Sequence, residues 1–284
     1  MNAEISPKLI KELRDRTGVG MGKCKEALEA TNGNMDEAIA HLRKAGIASA
    51  VKKEGRAANE GMIGIGETAH AIALVEVNAE TDFVVKNDRF QQFLRDVSEE
   101  AAKTAPLSLE TFKQQKWSKD THLTIEEYRA TIVQAIGENV QIRRLMILPK
   151  TSGKSIGVYS HHGGKLVTVT EIMGSGTQES LAKEISMHIA AASPEYLSEK
   201  EVPEEVLQHE REIVQSQIQG KPEHITQKIT EGKVQAFFDA NCLLRQKYIK
   251  NDSLTVSELV QQRAKETGHP LTVTKFLRWS VGQG

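Results

Sequence analysis

The sequence predicts an α+β fold: a small N-terminal three-helix domain, a core of two related α+β halves with antiparallel sheets, and a protruding antiparallel helical hairpin. Three observations predict it. Residues 1–46 carry three helix patterns, each with its own start and stop, and no strand pattern. The remainder runs twice through the order hairpin, helix, helix, strand. Between Ser198 and Phe237 the chain turns to Glu, Gln, Lys and Arg, with sparse apolar residues.

The elements follow in order. Ser6-Pro7 sets a cap with proline at the first helical position. Leu9, Ile10 and Leu13 share one face, and Thr17-Gly18 ends the helix. Met21, Cys24, Ala27 and Leu28 recur at three-to-four spacing in a second helix. Asn32-Gly33 stops it, because both residues tolerate positive φ. Asn34 caps a third helix with Glu37 in the capping-box position; Ala38, Ile39 and Leu42 face inward and Gly46 closes it. Three helices this short make a minimal core, the size of a docking module. Residues 47–60 read as a polar linker containing Lys52-Lys53-Glu54-Gly55-Arg56, with a basic recognition segment as the other reading.

The first half, 61–150, opens with a hairpin of Met62–Ile65 and Ala71–Val77. A helix from Asp82 to Lys103 carries Phe90, Phe93 and Val97. A second helix, Ile125–Ile136, stops at Gly137, and Glu138–Ile147 alternates like a strand. The second half, 151–197 and 238–284, pairs Ser155–Tyr159 with Leu166–Ile172 across His161-His162-Gly163-Gly164. Gly174-Ser175-Gly176-Thr177 leads into a helix Gln178–Ala192; Val256–Glu266 is a further helix and Leu271–Val281 a strand. Each half is then a small antiparallel sheet covered by helices on one face. Two inserts interrupt the halves. Pro106–Thr124 is polar, with Trp117 alone, and reads as a surface loop or a partly ordered segment. In 198–237, Val206/Ile213 and Leu207/Val214 repeat at seven, Gly220-Lys221-Pro222 breaks the run, and Ile225 and Ile229 lie beyond. That is an antiparallel hairpin with a thin apolar seam. It is either a bare protrusion or a contact arm, for a partner or for a second copy of the chain in a homodimer.

Composition narrows the function. The 284 residues hold 37 basic and 38 acidic side chains, for a formal charge of -1. That balance supplies no whole-chain field for nucleic acid or an anionic membrane. The two cysteines, Cys24 and Cys242, lie far apart, giving neither a disulfide framework nor metal-ligand spacing. The N-terminus, Met-Asn-Ala-Glu-Ile, has no basic region before an apolar run, and no apolar stretch approaches the ~18 residues that span a bilayer. The expectation is a cytoplasmic protein that binds neither membrane nor nucleic acid directly. No phosphate loop ending in Gly-Lys-Ser/Thr is present, and Gly64-Ile65-Gly66-Glu67-Thr68 sits in a hairpin rather than between strand and helix. His161-His162 lacks a third ligand at suitable spacing. No catalytic constellation emerges, so no enzyme activity, cofactor or metal is expected.

The most informative stretch is Asn78-Ala79-Glu80-Thr81-Asp82-Phe83-Val84, which joins a strand to a helix start. Thr81 is the cap, and Phe83 stands one residue into the helix. An acid and a bare aromatic there read as a probe aimed at another molecule; the other reading is a staple packed on its own domain.

Several segments, in order along the whole chain, resemble bacterial elongation factor Ts, the nucleotide exchange factor for elongation factor Tu. Leu9–Met21 followed by Cys24-Lys25-Glu26-Ala27-Leu28 is similar to its N-terminal signature, and Val75–Val84 to its second. Gly137-Glu138-Asn139-Val140-Gln141-Ile142-Arg143-Arg144 resembles a third; Met187-His188-Ile189-Ala190-Ala191 and the Gly220-Lys221-Pro222 turn also fit. The resemblance implies a ubiquitin-associated-like N-terminal domain, a two-part core and a coiled-coil hairpin. It implies that Thr81, Asp82, Phe83 and Val84 bind GDP-bound elongation factor Tu near its magnesium ion and dislocate that ion. Further partner contacts carry over to Arg14, Met21, Ile136, Gly137 and His161, with His162 an equal match for the histidine. Some family members continue with another helical module after the last strand, and no contact of that module is carried over. Two competing readings are an adaptor without exchange activity, which would not need Asp82-Phe83, and an RNA-binding factor. The latter needs a basic stripe with interleaved aromatics, against which the charge balance and 5% aromatic content stand.

Overall fold

The computed structural model describes residues 5–218 and 222–283, so Met1–Glu4 and the Gly220-Lys221 break fall outside the described residues. The chain divides into two compact units, residues 5–149 with 281–283, and residues 150–280.

The first unit opens with α1 (Pro7–Thr17), α2 (Met21–Ala30) and α3 (Met35–Lys53). The Ser6 hydroxyl accepts from the Leu9 N–H, Asn34 accepts from the Asp36 and Glu37 amides, and Gly18 ends α1 at φ 71°. Ile10, Leu13, Val19, Cys24, Ala27, Leu28, Ala38 and Leu42 form their common core. The expected stop at Gly46 is not there: α3 runs on to Lys53, and residues 47–53 of the expected linker are helical. Gly46 is a packing glycine. It is buried against the Ala130 backbone, where a β-carbon would lie 3.3 Å from the carbonyl oxygen. Ala50, one turn further, joins the core of the following segment.

That segment comprises β1 (Glu60–Glu67), β2 (Ala71–Ala79), α4 (Asp82–Val85), α5 (Asp88–Thr104), α6 (Leu109–Gln114), β3 (Lys116–Trp117), β4 (Asp120–Thr124), α7 (Ile125–Ile136) and β5 (Gln141–Pro149). The sheet is antiparallel in the order β1-β2-β5, with β2 buried along its whole length. Helix α5 lies close on β1, where a β-carbon at Gly66 would collide with the Ser98 carbonyl. The helix expected from Asp82 to Lys103 is two helices, because Asn87 caps α5 by accepting the Arg89 N–H. Nor is 106–124 a bare loop. Phe112 is fully buried, and Trp117 stacks on Tyr128 with ring centroids 4.0 Å apart. The buried Glu100 carboxylate accepts the Ser118 N–H at 3.1 Å, and the buried Asp96 accepts from Lys119 at 2.6 Å and the Tyr128 hydroxyl at 2.9 Å.

The second unit contains β6 (Lys154–His161), β7 (Leu166–Met173), α8 (Glu179–Ala192), α9 (Glu204–Gln217), α10 (Glu223–Asn241), β8 (Lys247–Tyr248), β9 (Asn251–Thr255), α11 (Val256–Thr267) and β10 (Thr272–Ser280). Its sheet, β6-β7-β10, repeats the first: a hairpin plus a late third strand beside the central one. A β-carbon at Gly157 of β6 would collide with the Ala182 backbone of α8, the counterpart of the close approach at Gly66. The repeat reaches into the expected inserts. Gln115-Lys116-Trp117, Leu123-Thr124-Ile125 and Glu127 correspond to Gln246-Lys247-Tyr248, Leu254-Thr255-Val256 and Glu258. Both stretches fold into a short hairpin and end in a capping box. In α9 and α10, Leu207, Val214, Val234 and Phe238 are buried, whereas Ile213 and Ile225 are exposed, so the seam is thinner than the sevenfold spacing predicts. Among the described residues no helix is long and apolar enough to cross a membrane, and no group of three or more His, Cys, Asp or Glu could hold a metal ion.

Candidate functional site

The exit of β2 builds the site. After Ala79 the chain leaves the sheet, and Thr81, in extended conformation at φ -127°, caps α4 by accepting the Val84 N–H at 3.4 Å. A single helical turn then sorts its side chains. Val85 is buried, Val84 packs half-buried against the same core, and Phe83 points outward with 80% of its surface exposed. A staple on its own domain would be covered, so that reading of Phe83 does not hold. The Asp82 carboxylate accepts from Lys86 Nζ at 3.0 Å, one turn on. That bond, ahead of the smaller contributions, holds its pKa below the usual carboxylate value.

The backbone under Phe83 is clamped from the α7–β5 connection. Gly137 ends α7 in the left-handed region at φ 90°, its N–H on the Val133 carbonyl. A glycine is required there because an L side chain is disfavoured at that φ. Next in the chain, the Glu138 carboxylate accepts from the Thr81 N–H at 3.0 Å and from the Thr81 hydroxyl at 2.7 Å. The Thr81 hydroxyl thus donates to Glu138 while accepting from Val84. In the reverse direction the Glu80 carboxylate accepts the Asn139 N–H at 2.7 Å. Hydrogen bonds to an ionised acceptor are the stronger kind, roughly twice a neutral pair. Asn139, wholly buried, donates through Nδ2 to the carbonyls of Arg56 at 2.8 Å and Glu54 at 3.3 Å, just past the end of α3.

Thr81–Val84 and the Ile136-Gly137 turn are therefore brought into one bonded assembly, with Ile136 itself half-buried against the core. Arg14 and Met21 stand among the N-terminal helices of the same unit. Both are exposed, and Met21, 45% exposed, is no part of that small core. His161 belongs to the second unit, at the end of β6. It is half-buried, and its Nδ1 shares a 2.9 Å hydrogen bond with the Tyr159 hydroxyl. His162 follows exposed, at φ 47°, its ring centroid 4.0 Å from that of His161. The sequence puts Glu138 and Asn139 in a stretch, Ile136–Asn139, that can touch a partner, and Glu80 only within the second signature; the clamping role of all three comes from the structure. For Glu138 and Asn139 the signal was an acid and an amide directly after a helix-stop glycine; the alternation that starts at Glu138 masked it, because the strand itself begins only at Gln141.

A family model described as Elongation factor TS matches residues 80–283. The chain is 61% identical over 281 residues to an elongation factor Ts of Protochlamydia amoebophila, covering 99% of this chain and all of that one. It is 44% identical to that of Chlamydia muridarum and 45% identical to that of Chlamydia caviae, each over 280 residues and 99% of both chains. With a family model over most of its length and relatives matched end to end, the chain belongs to the elongation factor Ts family of translation elongation factors.

Proposed function

We propose that this chain binds GDP-bound elongation factor Tu and promotes GDP release by inserting the Thr81–Val84 helix start beside the partner's magnesium and phosphate site. The observation that carries this reading is Phe83, 80% exposed on a turn whose backbone is fixed by Glu138. Exposing an aromatic ring to water is unfavourable, and clamping the turn beneath it reduces the entropy lost when the ring is buried by a partner. In the partner, phosphate-binding amides and magnesium hold the nucleotide. Phe83 wedges between the side chains that position the metal, and Asp82 orients the insertion. Weakened phosphate binding follows, and by linkage nucleotide weakens the factor by the same factor as the factor weakens nucleotide. The chain needs no bond-making residue for this.

Magnitudes divide the work. A ~1000-fold faster release takes ~4 kcal/mol off the barrier. Burying one Phe contributes roughly 1.5–3 kcal/mol. The remainder has to come from other contacts coupled to the distortion, for which Arg14, Met21, Ile136, Gly137 and His161 are the proposed residues. The test is release of fluorescent GDP from elongation factor Tu with and without this chain. Saturable acceleration is expected; no acceleration at any concentration would leave a binding protein without exchange activity and overturn the reading.

A further inference from the structure

We infer that Asn139 and Glu138 are positioning residues for exchange: they tie the end of α3 to the backbone beneath Phe83, so that docking of the N-terminal helices and insertion of the ring act as one rigid movement. The inference rests on the wedge reading above and names what delivers docking energy to it.

The bonds form a continuous path. Helix α3 begins in the N-terminal core with Ala38 and Leu42, crosses α7 at Gly46, and buries Ala50 in the next core. Beyond its last turn the carbonyls of Glu54 and Arg56 have no helical partner of their own. Asn139 Nδ2 takes both, and Gln141 Nε2 adds a bond to Glu54 at 3.0 Å. From Asn139 the path runs through its N–H to Glu80, and through the adjoining Glu138 to Thr81, two residues before Phe83. Arg56 closes the loop with a 3.5 Å ion pair to Glu80. The end of α3, the end of α7 and the exit of β2 thus meet at one residue, Asn139, through its side chain and its backbone N–H.

The residue type supports a linking role. Asn139 Oδ1 is buried and has no hydrogen-bond partner among the described residues. An idle buried amide oxygen is unfavourable, and an apolar residue of similar size would avoid it. What such a residue lacks is the Nδ2 donor that holds α3. A hinge at this point would let the N-terminal helices dock while Phe83 stayed loose, and their binding energy would then strengthen association without lowering the release barrier.

The test is a double-mutant cycle between Asn139→Ala and Phe83→Ala, read as GDP release from elongation factor Tu across a titration of each variant. Asn139→Ala is expected to lower the maximal release rate about tenfold while shifting the half-saturating concentration less than about twofold, the loss expected from one coupling hydrogen-bond set. In the Phe83→Ala background the same substitution is expected to change the rate by less than about twofold. An equal fold-loss in both backgrounds, a shift confined to half-saturation, or no change would overturn the inference and leave the wedge standing. An unchanged rate for Phe83→Ala alone would instead overturn the wedge, and the inference with it. If Asn139→Ala does not fold, Glu138→Gln enters the same cycle. It keeps the side-chain shape and removes the charge under Thr81, and about a threefold loss that vanishes without Phe83 is expected. No Phe83-dependent loss from Glu138→Gln would overturn the inference.

Discussion

On the proposed wedge, replacing Phe83 by alanine is expected to remove exchange while leaving the fold intact. The ring is 80% exposed, so its removal deletes almost no intramolecular contact. Exposed substitutions of this kind shift stability by less than about 0.5 kcal/mol, so the urea midpoint is expected to stay put. In the complex the account is different. The ring has nearly its whole surface available for burial, which contributes roughly 1.5–3 kcal/mol. With about 1.4 kcal/mol per tenfold in rate, the maximal acceleration of GDP release is expected to fall by roughly 10- to 100-fold. The assay is fluorescent GDP release from elongation factor Tu at saturating factor, beside urea unfolding of the free variant. A loss below about threefold in a fully folded variant would refute the wedge and move the mechanism to the remaining contacts. A large drop in the urea midpoint would refute the premise that the ring is free of its own domain.

Three further outcomes follow from the geometry. Gly137→Ala puts a β-carbon at φ 90° and is expected to cost about 1–2 kcal/mol in urea unfolding, with slower GDP release because Glu138 follows directly. Phe112→Ala empties a fully buried site in the segment that reads as a surface loop, and a loss of about 3–5 kcal/mol in chemical unfolding is expected; a loss under about 1 kcal/mol would return that segment to the surface. His188 is buried, its Nε2 bonded to Gln246 Oε1 at 2.9 Å and its Nδ1 accepting the Ile249 N–H at 3.3 Å. Burial lowers its pKa from the usual 6.5, with the Gln246 bond partly opposing. Below that value the unfolded chain binds more protons than the folded one, so this contribution is whole above pH 6.5 and is lost as pH falls beneath it. His188→Gln is expected to flatten the urea midpoint between about pH 5 and 7; an unchanged slope would exclude His188 as its source.

Where local chemistry settled an element, the sequence was legible. Ile125–Ile136 is a helix with the expected bounds, since the Thr124–Glu127 capping box and the Gly137 stop both act within a few residues. The exposure of Phe83 was legible too, because an aromatic at a helix start has few local reasons to be there. Gly46 was misleading for a physical reason. A glycine that ends a helix and a glycine that lets another helix approach look alike until the neighbour is known, and Ala130 lies 84 residues further on. The polar run 106–124 misled likewise, since its Phe112 and Trp117 are anchored by partners outside the run, the core of the first unit and the Tyr128 ring. Comparing Gln115–Glu127 with Gln246–Glu258 would have exposed it as part of the repeat.

By itself, then, the sequence determined the capped helix starts, the Gly18 and Gly137 stops, the repeated order of elements and the exposed aromatic at residue 83, but neither the end of α3 nor the break at Asn87. Only the tertiary structure decided what holds that aromatic in place. Glu138 meets Thr81 across 57 residues, and Asn139 meets Glu54 across 85. Charged and amide side chains have several partners within reach of their chemistry, and which one they take is fixed only when packing brings distant backbone amides and carbonyls to them.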